Sequence, residues 1–396
     1  MPTLLQINIT ANWGSTGKIA ESIGIAAKNH GWESYIAYGR LCNPSQSHLI
    51  KIGGRFDKYF HYAEQFIRDN EGLCSRKATN KLIRQIEEIK PDVVQLHNIH
   101  DHYLNYKILF DYLNQNDIKV VWTFHDCWAF TGHCFHFVSV NCTKWQTECG
   151  RCPKRNKFID HSTSNYNLKK RLFSTNKNMT IVPCSYWMGD FVRESFFKNK
   201  RIEIIQNGVD LNVFKPIQEA KRNDGKIRII AVSNVWLPYK GLDDIFMLRK
   251  ILSDDYEIIM VGLSEKQMKT LPVGIRGIRR TQNVRELVAL YNEADVLINP
   301  TYADTFPTVN IESLACGTPV ITYKTGGSPE AVTPETGWVV EQGDLECAAK
   351  IIRSMALKND NELKAQRLAC RERAVADFDK ERCFEKYIEL YGELTQ

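Results

Sequence analysis

Short apolar runs alternate along the chain with stretches whose apolar positions repeat every three to four residues. The first run covers residues 3–9, and the helical pattern after it stops at Gly31. Apolar runs of this length predict buried strands, and the longer period predicts helices packed on them. The same alternation predicts further strands in the first half of the chain at residues 35–38, 92–96, 119–124, 180–184 and 202–205.

A second alternating series predicts strands at residues 227–232, 257–261, 296–298 and 320–322. Strands that alternate with helices form parallel sheets covered on both faces. We therefore predict an α/β protein with two Rossmann-like, doubly wound domains and a linker at residues 211–226. The segment 380–396 carries its aromatic residues on one helical face and is predicted to cap a core. The predicted domains are residues 1–207 together with this helix, and residues 208–379.

The composition is typical of a globular protein. The chain has 396 residues, of which 43% are hydrophobic and 25% charged, which favours two domains and excludes a disordered chain or a coiled-coil rod. No apolar run approaches the ~18 residues of a membrane span, and Gln6 and Asn8 interrupt the first run, unlike the core of a signal peptide. The expected location is cytoplasmic, with peripheral contact at the inner face of the cell membrane.

Positive charge is concentrated in the first half. Residues 1–207 contain 27 basic and 18 acidic residues, a net charge of +9, whereas residues 208–396 contain 25 and 28, a net charge of −3. The excess, densest at residues 151–177, indicates an anionic partner (phospholipid or nucleic acid) or simply a solvated face.

Residues 55–68 form an amphipathic pattern in this basic half. The basic residues are Arg55, Lys58 and Arg68, and the apolar positions at helical spacing are Phe56, Tyr59, Phe60, Ala63, Phe66 and Ile67. Such a helix either lies in the head-group layer of an anionic membrane or packs its apolar face on the first sheet.

Twelve cysteines without a secretory signal indicate reduced thiols. Cys134, Cys142, Cys149 and Cys152 lie close together in sequence, the last two as Cys-Gly-Arg-Cys, and predict a structural zinc site in which His133 or His136 could replace one ligand. The alternatives are ordinary core thiols and disulfides. The ion is expected to staple a loop that has little apolar content of its own, just after His125.

Polar residues that directly follow predicted strands are the candidates for chemistry, because doubly wound sheets bind ligands there. Gly14 and Gly17 follow the first strand, but their spacing is not that of a nucleotide-triphosphate P-loop. His125 follows another strand and could bind a hydroxyl or share a proton with a reacting group, or merely bond a loop carbonyl. His97 and His100 are similar in position and are interpreted as structural.

Two acids mark the most informative stretch of the chain, residues 299–320. Asp304 is predicted in a loop after a strand, and Glu312 in the first turn of the next helix. Carboxylates so placed can accept paired hydrogen bonds from sugar hydroxyls, although each could also be a helix cap or a surface charge. Gly326 and Gly327 follow the next strand and offer a second close backbone approach.

These motifs resemble those of the retaining glycosyltransferases of family 4, which have the GT-B fold, and the resemblance covers essentially the whole chain. The family's two donor-binding acids are separated by seven residues, as are Asp304 and Glu312, although the first is usually Glu. Glu312 would hold the ribose hydroxyls. The glycine loop at Gly14 and Gly17, His125 beside the donor sugar, and the Asn-Gly-Val-Asp segment 207–210 also match.

The resemblance extends to the diphosphate site. Lys240 matches the lysine that holds the donor diphosphate, whereas the family's arginine six positions earlier is Asn234 here. Residues 236–240 resemble the branch that builds exopolysaccharides such as colanic acid. The resemblance implies a first domain for the acceptor, a second for a UDP- or GDP-sugar donor, a central cleft between them, and transfer to a glycan or lipid-linked acceptor without a catalytic metal.

Two other functions compete with transfer. A sugar-nucleotide epimerase could use the same fold, because fold does not fix function. A zinc-knuckle nucleic-acid-binding protein would explain the basic half and the cysteines. The basic residues lack a recognisable reader motif and the strand-end acids would repel phosphates, so no nucleic-acid partner is expected.

Overall fold

The computed structural model describes residues 1–70, 72–154, 159–217 and 225–396. The chain divides into two compact units, one of residues 1–206 and 384–396 and the other of residues 207–383. Part of the predicted linker, residues 218–224, lies outside the described residues, as do Arg155 and Lys157 of the basic stretch.

The described residues of the first unit form one parallel sheet of seven strands: β1 (Thr3–Asn8), β2 (Glu33–Tyr38), β3 (His48–Lys51), β4 (Val93–Leu96), β5 (Val120–Phe124), β6 (Met179–Pro183) and β7 (Arg201–Ile202). Their order across the sheet is β3-β2-β1-β4-β5-β6-β7. The helices are α1 (Gly14–Asn29), α2 (Arg55–Arg68), α3 (Arg76–Ile89), α4 (Tyr106–Gln115), α5 (Ser162–Thr175) and α6 (Tyr186–Glu194).

The second unit's described residues form a parallel sheet of six strands: β8 (Ile227–Val232), β9 (Tyr256–Val261), β10 (Ile275–Ile278), β11 (Val296–Asn299), β12 (Val320–Tyr323) and β13 (Gly337–Val340). Their order is β10-β9-β8-β11-β12-β13. The helices are α7 (Leu242–Ile251), α8 (Glu265–Met268), α9 (Val284–Glu293), α10 (Thr308–Ala315), α11 (Leu345–Met355) and α12 (Asp360–Asp377). The last helix, α13 (Lys380–Thr395), begins in the second unit, and its residues from Phe384 onward belong to the first.

The two doubly wound sheets confirm the predicted fold class. The strand predicted at residues 202–205 is wrong in extent, because β7 covers only Arg201–Ile202. Three strands, β3, β10 and β13, were not predicted from the pattern. Each has only four residues and lies at or beside a sheet edge, with mixed polar and apolar side chains or glycine, so it lacks the continuous apolar run of a central strand.

Alternate residues of the central strands enter two different cores. Leu5 of β1 and Val94 of β4 pack in the core that also contains α4, whereas Leu4 and Val93 pack in the core that contains α1. The sheet of the first unit is therefore covered on both faces, as parallel sheets require. Among the helices of the described residues, none combines the length and apolar character needed to cross a bilayer.

The last helix completes the core on the α1 face of the first sheet. Residues 384–396 of α13 belong to the first unit, and its aromatic face is buried there. The Tyr391 hydroxyl donates to Gln95 Oε1 at 2.7 Å, and the Tyr387 hydroxyl lies 3.0 Å from Thr123 Oγ1. Both partners are strand residues, so α13 satisfies polar groups that the sheet would otherwise bury unpaired.

Removal of the Tyr391 hydroxyl tests this role. We expect Tyr391→Phe to lower the free energy of unfolding by about 1–2 kcal/mol, because Gln95 Oε1 loses its buried donor. Tyr391→Ala should cost about 3–5 kcal/mol, because it also opens a cavity. Calorimetric unfolding measures both, and Lys386→Ala, on the exposed face of α13, is the control. A Tyr391→Phe protein as stable as the wild type would contradict the assignment.

Candidate active site

Each sheet reverses its strand order at one point. The reversal lies between β1 and β4 in the first sheet and between β8 and β11 in the second. Ligands of doubly wound sheets bind outside the carboxyl ends of the strands at this point. Most predicted site residues follow the strands at or beside it: Gly14 and Gly17 after β1, His125 after β5, Asn234 and Lys240 after β8, and Asp304 after β11.

The glycine loop joins β1 to α1. Gly14 is the first residue of α1 and has a φ of +66°, which glycine adopts without strain. Gly17 packs closely on the loop, where an added Cβ would lie 2.6 Å from Thr10 Oγ1. The N-cap residue Trp13 makes no side-chain capping hydrogen bond. The loop therefore presents the positive end of α1 at the strand ends, as an anion site requires.

Buried side chains hold His125 in one tautomer. Gln6 Nε2 donates to the Ala20 carbonyl at 2.7 Å, so Gln6 Oε1 is the acceptor for His97 Nε2 at 3.0 Å. His97 then carries its proton on Nε2, and its Nδ1 accepts from His125 Nε2 at 3.0 Å. His125 consequently carries its proton on Nε2 and offers Nδ1 as an acceptor. A hydroxyl donor is the group that this atom can bind.

The histidines near β4 and β5 differ in charge. Burial lowers the pKa of His125 to about 4, and burial together with His125 holds the pKa of His97 well below its usual range. Burial also opposes the charged form of His100, but Asp126, 2.9 Å from His100 Nε2, and Asp101 outweigh it and raise the pKa of His100 to about 10. A neutral histidine pair therefore lies beside a charged His100–Asp126 pair.

Lys240 and Asp304 form an ion pair in the second unit. Lys240 Nζ lies 2.6 Å from Asp304 Oδ2, and both side chains are largely buried. The loop that carries Asp304 is pressed against Gly326, where an added Cβ would lie 1.8 Å from the Asp304 carbonyl oxygen. Gly326 also has a φ of +55°, so glycine is required there twice over. Asp304 is therefore neither a helix cap nor a loose surface charge.

Glu312 lies further along the same segment than predicted. It is the fifth residue of α10, in the second turn and not the first, because α10 begins at Thr308. The buried Tyr291 hydroxyl donates to Glu312 Oε2 at 3.0 Å, and burial together with the Glu312 charge raises the pKa of Tyr291 well above its usual range. This excludes the helix-cap alternative for Glu312, which is held by a tyrosine from α9.

Two asparagines connect the end of β11, helix α10 and the turn after β12 by hydrogen bonds. Asn299, the last residue of β11, donates to Asn310 Oδ1 at 2.9 Å, and Asn310 donates to Ser328 Oγ at 3.0 Å. Gly327 immediately precedes the short 3-10 turn that contains Ser328. Asn234 lies in an exposed position after β8.

The sequence pattern gave several of these residues no role at the site, although His97 was interpreted as structural. Gln6, His97, Tyr291, Asn299 and Asn310 hold the predicted groups in place, yet each is a polar side chain within or next to an apolar element. The sequence did offer one sign of these residues, namely a polar residue at a position where the apolar pattern predicts a buried side chain. Gln6 in the middle of β1 and Asn299 at the end of β11 are such positions, and both are buried. Buried polar groups must find partners, and such positions therefore predict a network.

The cysteine segment surrounds one small cavity. Its lining includes all four predicted ligands, Cys134, Cys142, Cys149 and Cys152, together with His133. Among the described residues, the cysteine and histidine ligand atoms that come close together are those of His133, Cys134 and Cys152, within 4.8 Å of one another. Hydrogen bonds from Cys134 and His133 hold the pKa of Cys152 well below its usual range. His136 is not in this group.

The expectation that the cysteine loop has little apolar content is wrong. Trp128, Phe130, Phe137 and Trp145 are all buried in the main core of the first unit. The aromatic rings are spread singly through a polar sequence, so no periodic run revealed them. Packing of these rings therefore holds most of the loop in place without help from a metal.

Two family models match the chain in succession. The model described as Glycosyltransferase Family 4 matches residues 28–213, and the model described as Glycosyl transferases group 1 matches residues 213–374. A relative from Escherichia coli (strain K12), "Putative colanic acid biosynthesis glycosyl transferase WcaC", is 24% identical over 86% of this chain and 88% of its own length. D-inositol 3-phosphate glycosyltransferase of Mycolicibacterium gilvum (strain PYR-GCK) is 32% identical over 33% of this chain and 34% of its own length.

Solved structures share the fold over the whole chain. Sucrose-phosphate synthase from Thermosynechococcus elongatus superposes with a TM-score of 0.73 at 16% identity, covering 100% of this chain and 99% of that one. WaaG, a glycosyltransferase involved in lipopolysaccharide biosynthesis, gives 0.70 at 12% identity, covering 98% and 99%. Anabaena Alr3699/HepE in complex with UDP gives 0.68 at 12% identity, covering 99% and 100%.

The buried neutral histidines predict a pH dependence of stability. Below pH 6.5, His97 and His125 are protonated in the unfolded chain but stay neutral in the folded protein. The free energy of unfolding should therefore fall as the pH drops from 6.5 towards 4. The expected fall is up to about 1.4 kcal/mol per pH unit for each histidine. His100 does not offset this fall. Its pKa is raised in the folded protein, so its contribution to the free energy of unfolding is already complete below pH 6.5 and does not change further as the pH drops.

His97→Gln removes the contribution of one of these two histidines to the pH dependence. The glutamine amide can still donate to Gln6 but does not titrate, so the slope of unfolding free energy against pH should become shallower. Urea unfolding followed by circular dichroism measures the slope, with exposed His30→Gln as the control. A slope unchanged in His97→Gln would show that His97 is not the neutral buried group described here.

Proposed function

We propose that this chain, which belongs to the family 4 glycosyltransferases of the GT-B fold, transfers a sugar from UDP or GDP to a hydroxyl of a glycan or lipid-linked acceptor. The bond between the anomeric carbon and the diphosphate oxygen breaks, and a bond to the acceptor oxygen forms on the same face of the sugar. The acceptor hydroxyl gives its proton to the departing diphosphate oxygen. The observation that supports the proposal is the ion pair of Lys240 and Asp304, which follow the two strands at the second sheet's switch point.

Departure of the diphosphate is the difficult part of this reaction, because negative charge develops on the leaving oxygen. Lys240 supplies a point charge for it. In the structure Asp304 neutralises that charge at 2.6 Å. A bound diphosphate would compete for Lys240 and leave Asp304 able to accept hydrogen bonds from the donor sugar. The ion pair thus keeps the lysine positioned and the carboxylate desolvated before the donor arrives.

Glu312 is proposed to bind the ribose of the donor. Vicinal ribose hydroxyls are paired donors, and a carboxylate accepts both at once. The hydrogen bond of 3.0 Å from the Tyr291 hydroxyl to Oε2 fixes the orientation of the Glu312 carboxylate. Gly326 and Gly327 are proposed to bring backbone N–H groups to the phosphates.

The first unit is proposed to bind the acceptor. His125 would accept a hydrogen bond from a sugar hydroxyl at Nδ1, because Nε2 is committed to His97 at 3.0 Å. Gly14 and Gly17 would bring the positive end of α1 to a phosphate. No metal takes part in the proposed reaction. Asn234 is uncharged, so it does not stabilise the charge of the leaving diphosphate.

The competing functions are weaker. Both matching family models are glycosyltransferase models, which disfavours the epimerase and the nucleic-acid-binding protein. An epimerase would release or interconvert nucleotide sugar without an acceptor. Release of nucleotide that depends on added lipid-linked acceptor supports transfer, and strongly salt-dependent binding to arbitrary DNA would support the other alternative.

Two substitutions test the donor site. Lys240→Ala and Glu312→Gln should each lower transfer by about 100-fold or more, because each removes a charge aimed at the donor. Glutamine at 312 keeps an acceptor for Tyr291, so the fold should be preserved. Lys324→Ala, which breaks the exposed Lys324–Glu341 pair at 3.2 Å, is the matched control. Transfer from a nucleotide sugar chosen by thermal-shift screening is the measurement, and wild-type activity in either variant would remove the assignment.

Helix α2 is proposed to contact an anionic membrane. Its apolar face does not pack on the sheet, as the alternative required: Phe56 is 92% exposed, Tyr59 70% and Phe60 64%. The buried side of α2 carries His61 instead. The side chains of Arg55 and Lys58 lie outside the described residues. An exposed aromatic face of this size is typical of a surface that meets a membrane or another partner.

Vesicle co-sedimentation tests α2. The protein should pellet with anionic vesicles at low salt, and Tyr59→Ser/Phe60→Ser should weaken binding at least ten-fold, because each aromatic ring contributes about 1.5–3 kcal/mol when buried. Val273→Ser, which alters an equally exposed apolar residue elsewhere, should bind like the wild type. Equal pelleting of the wild type and the double variant, or indifference to lipid charge, would assign the exposed face to another partner.

A further inference from the structure

We propose that the cysteine loop holds one zinc ion through His133, Cys134, Cys149 and Cys152, with Asp69 as the partner that orients His133. This ligand set differs from the four-cysteine set predicted from spacing, because His133 takes the place of Cys142. The proposal is independent of the transfer reaction, since the ion has a structural role only.

The distance between two of the thiols fits one tetrahedral ion, and the histidine lies close to both. Cys134 Sγ and Cys152 Sγ are 3.7 Å apart. Two thiolates that each lie ~2.3 Å from a tetrahedral zinc are about 3.8 Å apart. His133 Nε2 lies 3.0 Å from Cys152 Sγ. These atoms belong to one cluster of potential ligands, all within 4.8 Å of one another.

Cys149 is the favoured fourth ligand. Its Sγ accepts a hydrogen bond from the backbone N–H of Gly132 at 3.3 Å, directly beside His133. A backbone N–H in this position can also donate to a metal-bound sulfur and orient it. Cys149 and Cys152 are also the pair in Cys-Gly-Arg-Cys, a spacing that brings two thiolates to one ion. Cys142 and Cys149 both line the cavity, and both lie outside the close group of His133, Cys134 and Cys152. The hydrogen bond from Gly132 and the Cys-Gly-Arg-Cys spacing are what favour Cys149 over Cys142.

The surroundings of His133 match those of a metal-bound histidine. Asp69 Oδ2 lies 3.1 Å from His133 Nδ1, so the ring proton points to the carboxylate and Nε2 points to the thiols. Asp69 is itself buried and accepts the His161 N–H at 2.9 Å. Asp160 Oδ2 accepts the Cys152 N–H at 2.8 Å. A carboxylate–histidine–metal chain of this kind fixes both the tautomer and the ring orientation.

The proposed ion would connect three separate segments of the first unit. Asp69 is the C-cap residue of α2. The loop after β5 contains residues 133–152, and Asp160 and His161 lead into α5. Aromatic packing already holds the body of the loop, so the ion would fix its outer rim and the end of the exposed helix α2. The role inferred for zinc is therefore local positioning, not folding of the loop as a whole.

Metal content of the full chain tests the proposal. Protein purified without chelator should contain about one zinc per chain by elemental analysis. Cys134→Ser, Cys152→Ser and His133→Ala should each reduce this to background, whereas Cys142→Ser and the exposed Cys42→Ser should keep about one. Asp69→Asn should weaken zinc binding by about 10–100-fold in competition with a chelator.

Measurements on the wild type guard against variants that fail to fold. Cobalt exchanged for zinc should give the absorption of a tetrahedral, thiolate-bound ion, and chelator should lower the melting temperature until zinc is restored. Wild-type protein that contains no zinc and takes up neither metal, or that carries a Cys134–Cys152 disulfide, would overturn the site. Zinc lost in Cys142→Ser but kept in His133→Ala would overturn the ligand set. None of these results depends on transferase activity.

Discussion

Parallel strands buried on both faces confine the chemistry of this protein to the strand ends. Neighbouring residues of β1 and β4 enter opposite cores, so the middle of the sheet has no solvent-facing side on which a ligand could bind. Polar groups are tolerated only where they find partners or where the strand ends. Lys240 and Asp304 follow strands adjacent in the second sheet, β8 and β11, and their 2.6 Å ion pair is a direct result of that adjacency.

One face of the first sheet carries a polar row that leads to His125. Gln6 of β1, Gln95 of β4 and Thr123 of β5 lie on the face covered by α1 and α13, and His97 directly follows β4. In this low-dielectric setting an unpaired amide or hydroxyl would be costly, and the row is satisfied by Ala20 from α1 and by the tyrosines of α13. The same burial keeps His97 and His125 neutral. The C-terminal helix therefore supports the strands that carry the candidate site.

The segment after β5 combines two kinds of restraint. Buried rings such as Trp128 and Trp145 anchor its interior, and a cluster of thiols and one histidine lies at its rim. Hydrophobic packing is non-directional, whereas a metal site would impose fixed angles on its ligands. The two restraints act on different parts of the loop, so loss of one need not unfold the other. Helix α2 ends at Asp69, beside this rim, while its aromatic face remains exposed.

The sequence by itself determined the two series of alternating strands and helices, except for the short strands β3, β10 and β13, and it put Asp304, Lys240 and His125 after strands and Glu312 in the helix after Asp304. These follow from local periodicity, which depends on neighbours a few residues apart. The tertiary structure decided what spacing cannot encode: the link between Gln6 and His97, 91 residues apart, the pairing of Lys240 with Asp304, 64 residues apart, and the choice of His133 over Cys142 in the thiol group.

The exposure of the apolar face of α2 is also a feature that only the tertiary structure decided. An amphipathic pattern states that one face is apolar, but only the packing of the other elements decides whether that face is buried. Here the side of α2 that carries His61 is buried instead, and the aromatic side is left outside. Local sequence fixes which side chains share a face or a strand end, and the fold fixes which of those faces meet, because contacts between distant segments depend on sheet order and on the space that competing side chains already fill.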